Sequence, residues 1–158
     1  MMYHFPSLNL PEADLKIRRS DVDVKVFDTF REKYVKLTPE EWVRQHFLHF
    51  LTRHLSYPSG LISVEKSLKA GKKRIRTDAI VYDRSASPLV LMEFKASKVP
   101  ISKETMFQAA RYNRELSVPY LFMSNGIDHY CLQLKEGDGD FIFLDEIPVY
   151  GQISSGNQ

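Results

Sequence analysis

The pattern of apolar and polar residues predicts a short N-terminal hairpin followed by a helix, three strands, a second helix and two or three further strands. Leu15–Arg18 and Val22–Phe27 alternate with the period of a strand, which predicts a hairpin that turns near residues 19–21. Residues 28–37 fit either a short helix or a strand-like connector. The hairpin therefore precedes the first long element of the chain.

The first long helix is predicted to begin at Thr38 and to run to about Leu55. Threonine is a common helix cap and Pro39 suits the first helical position, while the acids that follow suit the positive end of the helix dipole. At the 3.6-residue period, Glu40 falls on the buried stripe and Glu41 is turned toward the edge. The other members of this predicted stripe are Val43, Phe47, Phe50, Leu51 and His54.

The rest of the chain predicts three strands, a second helix and further strands. The helix spans Ile101–Ser117, with Ser102 as its cap and an inward stripe from Met106 to Leu116. The predicted strands are Leu61–Leu68, Arg76–Asp83, Pro88–Ala96, Tyr120–Ser124, Ile127–Leu134 and Phe141–Leu144, with a turn at Glu136–Asp140. This order predicts an α/β (α+β) fold in which a mixed central sheet is flanked by helices.

Composition is consistent with one domain over residues 1–150. The 158 residues are 43% hydrophobic and 27% charged, which is typical of a globular domain with a sizeable core. We assign residues 1–37 to an N-terminal extension with the hairpin and residues 38–134 to the core. Residues 151–158 are rich in Gly and Ser and predict a flexible tail.

Cysteine content and hydropathy predict a reducing, cytoplasmic setting. Cys131 is the single cysteine, which excludes an intramolecular disulfide and a multi-cysteine zinc site. The N-terminus lacks the basic and apolar segments of a signal peptide, and no apolar run approaches the length of a membrane span. We therefore expect no membrane partner.

Three charged residues interrupt two apolar strands and form the candidate site. Asp78 lies in one strand, Glu93 and Lys95 lie on one face of the next, and a hairpin that turns at residues 83–88 would bring them together. Charges buried in apolar strands are costly unless they pair or hold a metal. Each motif alone also fits a plain surface ion pair.

This set of side chains suits phosphodiester hydrolysis. Two carboxylates provide the oxygen ligands that Mg²⁺ prefers, and Mn²⁺ is an alternative. A neighbouring lysine could orient the attacking water or stabilise the developing negative charge. Glu40 could add an outer ligand from the helix, although an acid in a first turn also serves the helix dipole alone.

A basic turn comes directly before Asp78. The net charge of +2 does not by itself indicate a nucleic-acid partner, but the basic residues are concentrated between residues 66 and 76. Such a run fits either a solvated hairpin or contacts with DNA phosphates. The candidate phosphate contacts are Lys72, Lys73, Arg74 and Arg76.

Together these residues resemble the PD-(D/E)xK nuclease motif, with Thr77 where the motif has proline. More closely, residues 14–134 resemble the N-terminal nuclease domain of type I restriction enzyme R subunits. Besides Asp78 and Glu93-Phe94-Lys95, this resemblance rests on matches at both helices and at one turn. These matches are the Glu-xx-Val-Arg helix at residues 40–44, Gln-xxx-Tyr at residues 108–112 and Ser-Asn-Gly at residues 124–126.

The resemblance implies a restriction-endonuclease-like core with the order α-β-β-β-α-β. It also implies roles for individual residues. Asp78, Glu93 and the Phe94 carbonyl would bind Mg²⁺, and Lys95 would be the catalytic lysine. Glu40 and Gln108 would complete the catalytic set, with Glu41 and Tyr112 as accessory residues.

The sequence leaves three functions open. The first is a Mg²⁺-dependent DNA endonuclease, and the second is an inactive DNA-binding module with the same fold. The third is a subunit for a separately encoded helicase or restriction-modification complex, because R subunits continue into a helicase and this sequence has no Gly-xxxx-Gly-Lys-Ser/Thr phosphate loop. A homodimer would supply two active sites for cutting both strands.

Overall fold

A three-stranded antiparallel sheet, a six-stranded mixed sheet and three α-helices form the part of the protein that the structure describes. The structure is a computed structural model, which describes residues 5–135 and 140–154. The elements are β1 (Ile17–Arg19), β2 (Val24–Asp28), β3 (Lys33–Lys36), α1 (Pro39–His54), β4 (Ile62–Ala70), β5 (Lys73–Tyr82), β6 (Pro88–Phe94), α2 (Lys103–Leu116), β7 (Tyr120–Ser124), β8 (His129–Leu134), β9 (Phe141–Leu144) and α3 (Tyr150–Ser154).

The N-terminal hairpin is confirmed and gains a third strand. β1 pairs with β2 in the antiparallel sense, with Ile17 opposite Val26. The stretch that the sequence left open contains β3, which pairs with β2 on its other side. Val24, Val26 and Leu37 form a small apolar core here, and Trp42 of α1 packs against it. The small sheet therefore covers one side of α1.

The larger sheet and its two long helices follow the predicted order α-β-β-β-α-β. Its strands lie in the order β4-β5-β6-β7-β8-β9, and β6 and β7 form its one parallel pair among the described residues. Parallel neighbours need a crossover connection, and α2 provides it. Apolar residues of α1 pack into one core cluster of the sheet and those of α2 into another. The mixed sheet flanked by helices is thus confirmed.

The predicted start of α1 is confirmed, but the predicted buried stripe is partly wrong. The Thr38 hydroxyl accepts a hydrogen bond from the Glu41 amide at 3.1 Å, and Pro39 is the first helical residue. However, His54 and Glu40 are exposed, Phe50 is half-buried, and Glu41 is buried. The reason is that α1 packs against both sheets, so its buried surface extends beyond the single face that the period predicts.

The C-terminal prediction is also wrong in part. Residues 151–154 belong to α3 and are not a flexible tail, because Tyr150 and Ile153 are buried in the main core. The Tyr57 hydroxyl donates to the Pro148 carbonyl at 2.7 Å and holds the connection to α3. Residues 155–158 and most of the turn predicted at Glu136–Asp140 lie outside the described residues.

No helix in the described ranges is both long and apolar enough to cross a membrane.

Candidate functional site

The β5–β6 hairpin places Asp78 beside Glu93. The two strands pair with Ala79 opposite Met92, and the turn is closed by a hydrogen bond from the Asp83 amide to the Ser87 carbonyl at 2.9 Å. Asp78 immediately precedes the last pair, and its Oδ2 accepts a hydrogen bond from the Phe94 amide at 2.7 Å. The hairpin and its turn are therefore confirmed.

The surroundings of Glu93 raise the pKa of its carboxyl group. Burial raises the pKa of its carboxyl group, and the negative charge of Asp78 raises it further, while the charge of Lys95 acts in the opposite direction. The charges of Asp78 and Lys95 therefore both act on the Glu93 carboxyl group. Lys95 follows the end of β6, and its backbone amide donates to the Ser124 carbonyl at 2.9 Å, which fixes the start of the next loop.

The neighbouring strand is irregular beside Asp78. β4 pairs with β5 through Val64–Ala79 and Lys66–Thr77, but Glu65 does not pair with Asp78 between them. Glu65 has a φ of 53°, in the left-handed region that non-glycine residues rarely adopt. Strained backbone of this kind concentrates at functional sites, where the surrounding structure holds it. The β4–β5 ladder is therefore interrupted at the position of Asp78.

A buried ionic network on α1 surrounds Glu41. Arg31 donates to Glu41 Oε1 at 2.7 Å, Arg44 donates to Oε2 at 2.9 Å, and Gln45 donates to Oε2 at 3.1 Å. Burial opposes ionisation of Glu41, but the hydrogen bonds and charge of Arg44, with the hydrogen bonds of Arg31 and Gln45, lower its pKa below the ordinary value. Asp28 completes the network by accepting from the Arg31 side chain.

The network connects α1 to the candidate site. Arg44 Nη1 lies 3.4 Å from the Asp78 carbonyl oxygen, and its Nη2 lies 3.5 Å from Glu65 Oε1. A polar cavity of about 440 Å³ is lined by these residues and by Glu40 at its exposed side. Because arginine and glutamine side chains occupy both carboxylate oxygens of Glu41, this residue holds the network together, and Glu40 is the acid that stays open to solvent.

α2 brings Tyr112, but not Gln108, to a second cavity beside Glu93. Both residues are exposed, one helical turn apart. Tyr112 lines this cavity of about 280 Å³ together with Glu93, Arg74 and Arg76. The predicted inward stripe of α2 is confirmed, because Met106, Ala110 and Asn113 are its buried residues.

The predicted basic residues are all exposed, and two of them, Arg74 and Arg76, line the cavity beside Glu93. Lys72, Lys73, Arg74 and Arg76 follow Gly71, whose φ of 63° lets the chain turn tightly between β4 and β5. Lys73 lies 3.4 Å from Glu115 on α2. Arg76 lines both cavities, so the basic strand borders the site on two sides.

The predicted metal site contains two acidic side chains, those of Asp78 and Glu93. Within residues 5–135 and 140–154, no three His, Cys, Asp or Glu side chains cluster closely enough to hold a metal ion by themselves. The predicted set of Asp78, Glu93 and the Phe94 carbonyl is of a different kind, since its third ligand is a backbone oxygen. Two carboxylate side chains beside a carbonyl provide the hard oxygen donors that Mg²⁺ favours.

Sequence reasoning did not identify Arg31, Asp28 or Glu65 as part of this region. Asp28 and Arg31 lie three residues apart in the stretch whose structure was left open. Glu65 is a charged residue in the middle of the predicted strand Leu61–Leu68. A charged residue that interrupts a predicted strand also identifies Asp78 and Glu93 as candidates, so the same feature could have identified Glu65.

Comparisons with known proteins agree with this fold. A family model described as type I restriction enzyme R protein N terminus matches residues 39–148. Among solved structures, a fragment described as an HsdR subunit of a type I restriction enzyme from Vibrio vulnificus YJ016 is similar, with a TM-score of 0.51 and 18% sequence identity. The match covers 74% of this chain and 24% of that chain. The search of curated proteins finds no match. The restriction-endonuclease-like fold class predicted from the sequence is confirmed.

Proposed function

Because the chain belongs to the family of type I restriction enzyme R protein N termini, we propose that it is a Mg²⁺-dependent DNA nuclease domain whose reacting centre is Asp78, Glu93 and Lys95. The observation that supports this most is the register of β5 and β6, which places Asp78 beside Glu93. Asp78 is held against the Phe94 amide, and its charge acts on the half-buried Glu93. Adjacent carboxylates that repel each other favour a cation between them.

In this proposal, the metal ligands and the catalytic lysine have separate roles. Asp78 and Glu93, with the Phe94 carbonyl, would hold the metal, since all three present oxygen to a hard cation. Bound there, Mg²⁺ would supply charge stabilisation of the phosphoryl group and lower the pKa of a coordinated water. The Lys95 ammonium would orient the attacking water and stabilise negative charge that develops on the phosphate.

Residues of α1 and α2 would support the metal site and order the DNA. Glu40 is exposed at the polar cavity and would act as an outer ligand through water. Gln108 and Tyr112 on α2 would help to order the DNA strand, as the resemblance implies, and Tyr112 is the one of the two that lines the cavity beside Glu93. Glu41 is an accessory residue in this proposal, because it holds Arg44 against the Asp78 carbonyl and so fixes the strand that carries Asp78.

Exposed basic residues support a DNA partner. Lys72, Lys73, Arg74 and Arg76 lie on the β4–β5 hairpin that carries Asp78, where they would neutralise phosphates. We expect binding that weakens steeply as salt rises.

The proposal extends to protein partners. This chain spans about a quarter of the similar R-subunit fragment, so we propose that the domain works with a helicase or modification subunit of a restriction system. A homodimer stays a prediction, since one site cuts one strand at a time.

A cleavage assay tests the proposed activity. Purified protein is incubated with linear and supercoiled DNA in Mg²⁺, in Mn²⁺ and in EDTA. We expect metal-dependent cleavage that falls by roughly 100-fold or more in Asp78→Asn, because electrostatic stabilisation at the reacting phosphate is lost. Asp145→Asn changes an exposed carboxylate beyond β9 and should cleave like the wild type. Cleavage that survives Asp78→Asn would refute the site.

The second candidate function is a catalytically inactive DNA-binding subunit. It is favoured by the exposed basic hairpin, which can bind phosphates without any metal. Salt-dependent binding of DNA in EDTA, without cleavage in any metal, would select this function over the nuclease.

A further inference from the structure

A cavity between the sheet and α2 has features that the metal site does not use. It measures about 280 Å³ and opens beside Glu93. Its sheet wall includes Ile75, Leu91 and Leu121, and its helix wall includes Ala109 and Leu116. The small side chain of Ala109 leaves space where a larger residue would fill the gap between helix and sheet. The result is an apolar slot next to a polar reacting centre.

Asn113 lines this cavity and is almost completely buried. The residue is only 1% exposed, and its amide nitrogen donates to the Val118 carbonyl at 2.9 Å. Its Oδ1 has no hydrogen-bond partner among the residues that the structure describes. A buried acceptor without a donor is costly, so a ligand that supplies an N–H group would relieve that cost.

The mouth of the cavity carries an aromatic ring and positive charge. Tyr112 is 61% exposed, which leaves its ring available for stacking. Arg74 and Arg76 are exposed on the adjoining strand and line the same cavity. A ligand that suits the whole arrangement has a flat ring with apolar faces, an N–H donor at its edge and a phosphate attached. That combination describes a nucleotide.

We propose that this cavity binds one nucleobase of the strand to be cleaved, with Tyr112 stacking on the ring and Asn113 Oδ1 accepting from its N–H group. The inference rests on the proposed nuclease function for the position of the phosphate. A base inside a duplex is stacked and paired, so it must leave the stack to enter the cavity. The preferred substrate class is therefore single-stranded or locally opened DNA.

The test measures binding in EDTA, where no cleavage takes place. Fluorescence anisotropy compares a short labelled oligodeoxycytidine with a fully abasic strand of the same length and phosphate count. We expect the strand with bases to bind about 5- to 150-fold more tightly, which is the range of base–aromatic stacking. Equal affinity for the two strands would overturn the proposal, even if the protein cleaves DNA.

Matched variants locate the base. Ala109→Leu fills the cavity and Tyr112→Ala removes the stacking ring, so each should reduce the preference for the strand with bases to near unity. Phe107→Ala removes another exposed aromatic residue of α2, which is 51% exposed and does not line the cavity, and should keep that preference. Circular dichroism and thermal melting check that each variant folds.

The outcomes separate this inference from the nuclease function. If Ala109→Leu and Tyr112→Ala retain the full base preference, the cavity is not the base site and the inference is wrong. If they lose it while the wild type shows no metal-dependent cleavage, the base site stands and only the nuclease function fails.

Discussion

Two carboxyl groups near the site have opposite electrostatic properties. Glu41 is buried among arginines that lower its pKa, so it stays ionised and holds Arg31 and Arg44 in place. Glu93 has a raised pKa because burial and the charge of Asp78 both disfavour its ionised form. The first pattern stabilises the structure, and the second is typical of a site where a cation is expected.

Glu41→Gln should destabilise the protein at neutral pH. The change removes the closest counter-charge of buried Arg44 and leaves it with exposed Glu65 at 3.5 Å, which costs about 3 kcal/mol. Because the folded-state pKa of Glu41 is lowered, its contribution is present above the ordinary carboxyl range and is lost as the pH falls through the folded-state pKa. Urea unfolding at several pH values should therefore show a wild-type advantage that shrinks in acid.

The control for this prediction is the neighbouring acid. Glu40→Gln changes an exposed side chain and should alter the unfolding free energy by no more than about 0.5 kcal/mol. An equal loss in both variants would show that the charge of the first turn matters and that the buried network does not.

Lys95→Met should reduce cleavage without reducing DNA binding. We expect a loss of about 100- to 1,000-fold, the usual effect of removing one group that stabilises transition-state charge. The charge of Lys95 lowers the pKa of Glu93, so the variant should also shift the acidic limb of any residual activity to higher pH. Lys98→Met, three residues along in the same loop, is exposed and serves as the control. Equal losses in both would contradict a specific role.

Among the helices and strands, the sequence predicts features that depend on neighbouring residues, but not features that depend on contacts between distant parts of the chain. The hairpin that carries Asp78 and Glu93 was predicted because a turn joins two adjacent strands. The burial of Glu41 could not be predicted, since it depends on Arg31 from a stretch whose structure the sequence left open. A helical period describes one buried face, whereas α1 is covered by both sheets.

Thr38→Ala should destabilise α1 by about 1 kcal/mol, because the Glu41 amide loses its cap. Thr52→Ala is the matched control, since the Thr52 hydroxyl donates to the Leu48 carbonyl within the helix and caps nothing. Its effect should be close to zero or slightly favourable, because alanine has the higher helix propensity. Chemical denaturation of both variants measures the difference, and equal losses would show that Thr38 does not act as a cap.

Across the protein, α3 completes the main core from the end of the described chain. Ile153 and Tyr150 join a cluster that also contains residues of α1 and the larger sheet. Tyr150 contacts the Tyr57 ring at a centroid distance of 5.4 Å. Gly and Ser around this segment predicted a tail, because composition does not reveal two apolar residues that dock onto a distant part of the chain.

Ile153→Ala should lower the unfolding free energy of the protein by about 2–4 kcal/mol, because it removes buried methyl groups and leaves a cavity. Gln152→Ala, on the exposed side of α3, should change it by less than about 0.5 kcal/mol. Thermal or urea unfolding distinguishes them. If the two variants are equally stable, α3 does not belong to the cooperative core.

The most direct test of the account is the position of a bound cation. Crystals of the protein soaked in Mn²⁺ give an anomalous signal that identifies the metal without ambiguity. We predict one peak coordinated by the Asp78 and Glu93 carboxylates and the Phe94 carbonyl oxygen, and no peak there in Asp78→Asn crystals. A peak that persists there in Asp78→Asn, or Mn²⁺ bound only elsewhere, would contradict the proposed metal site.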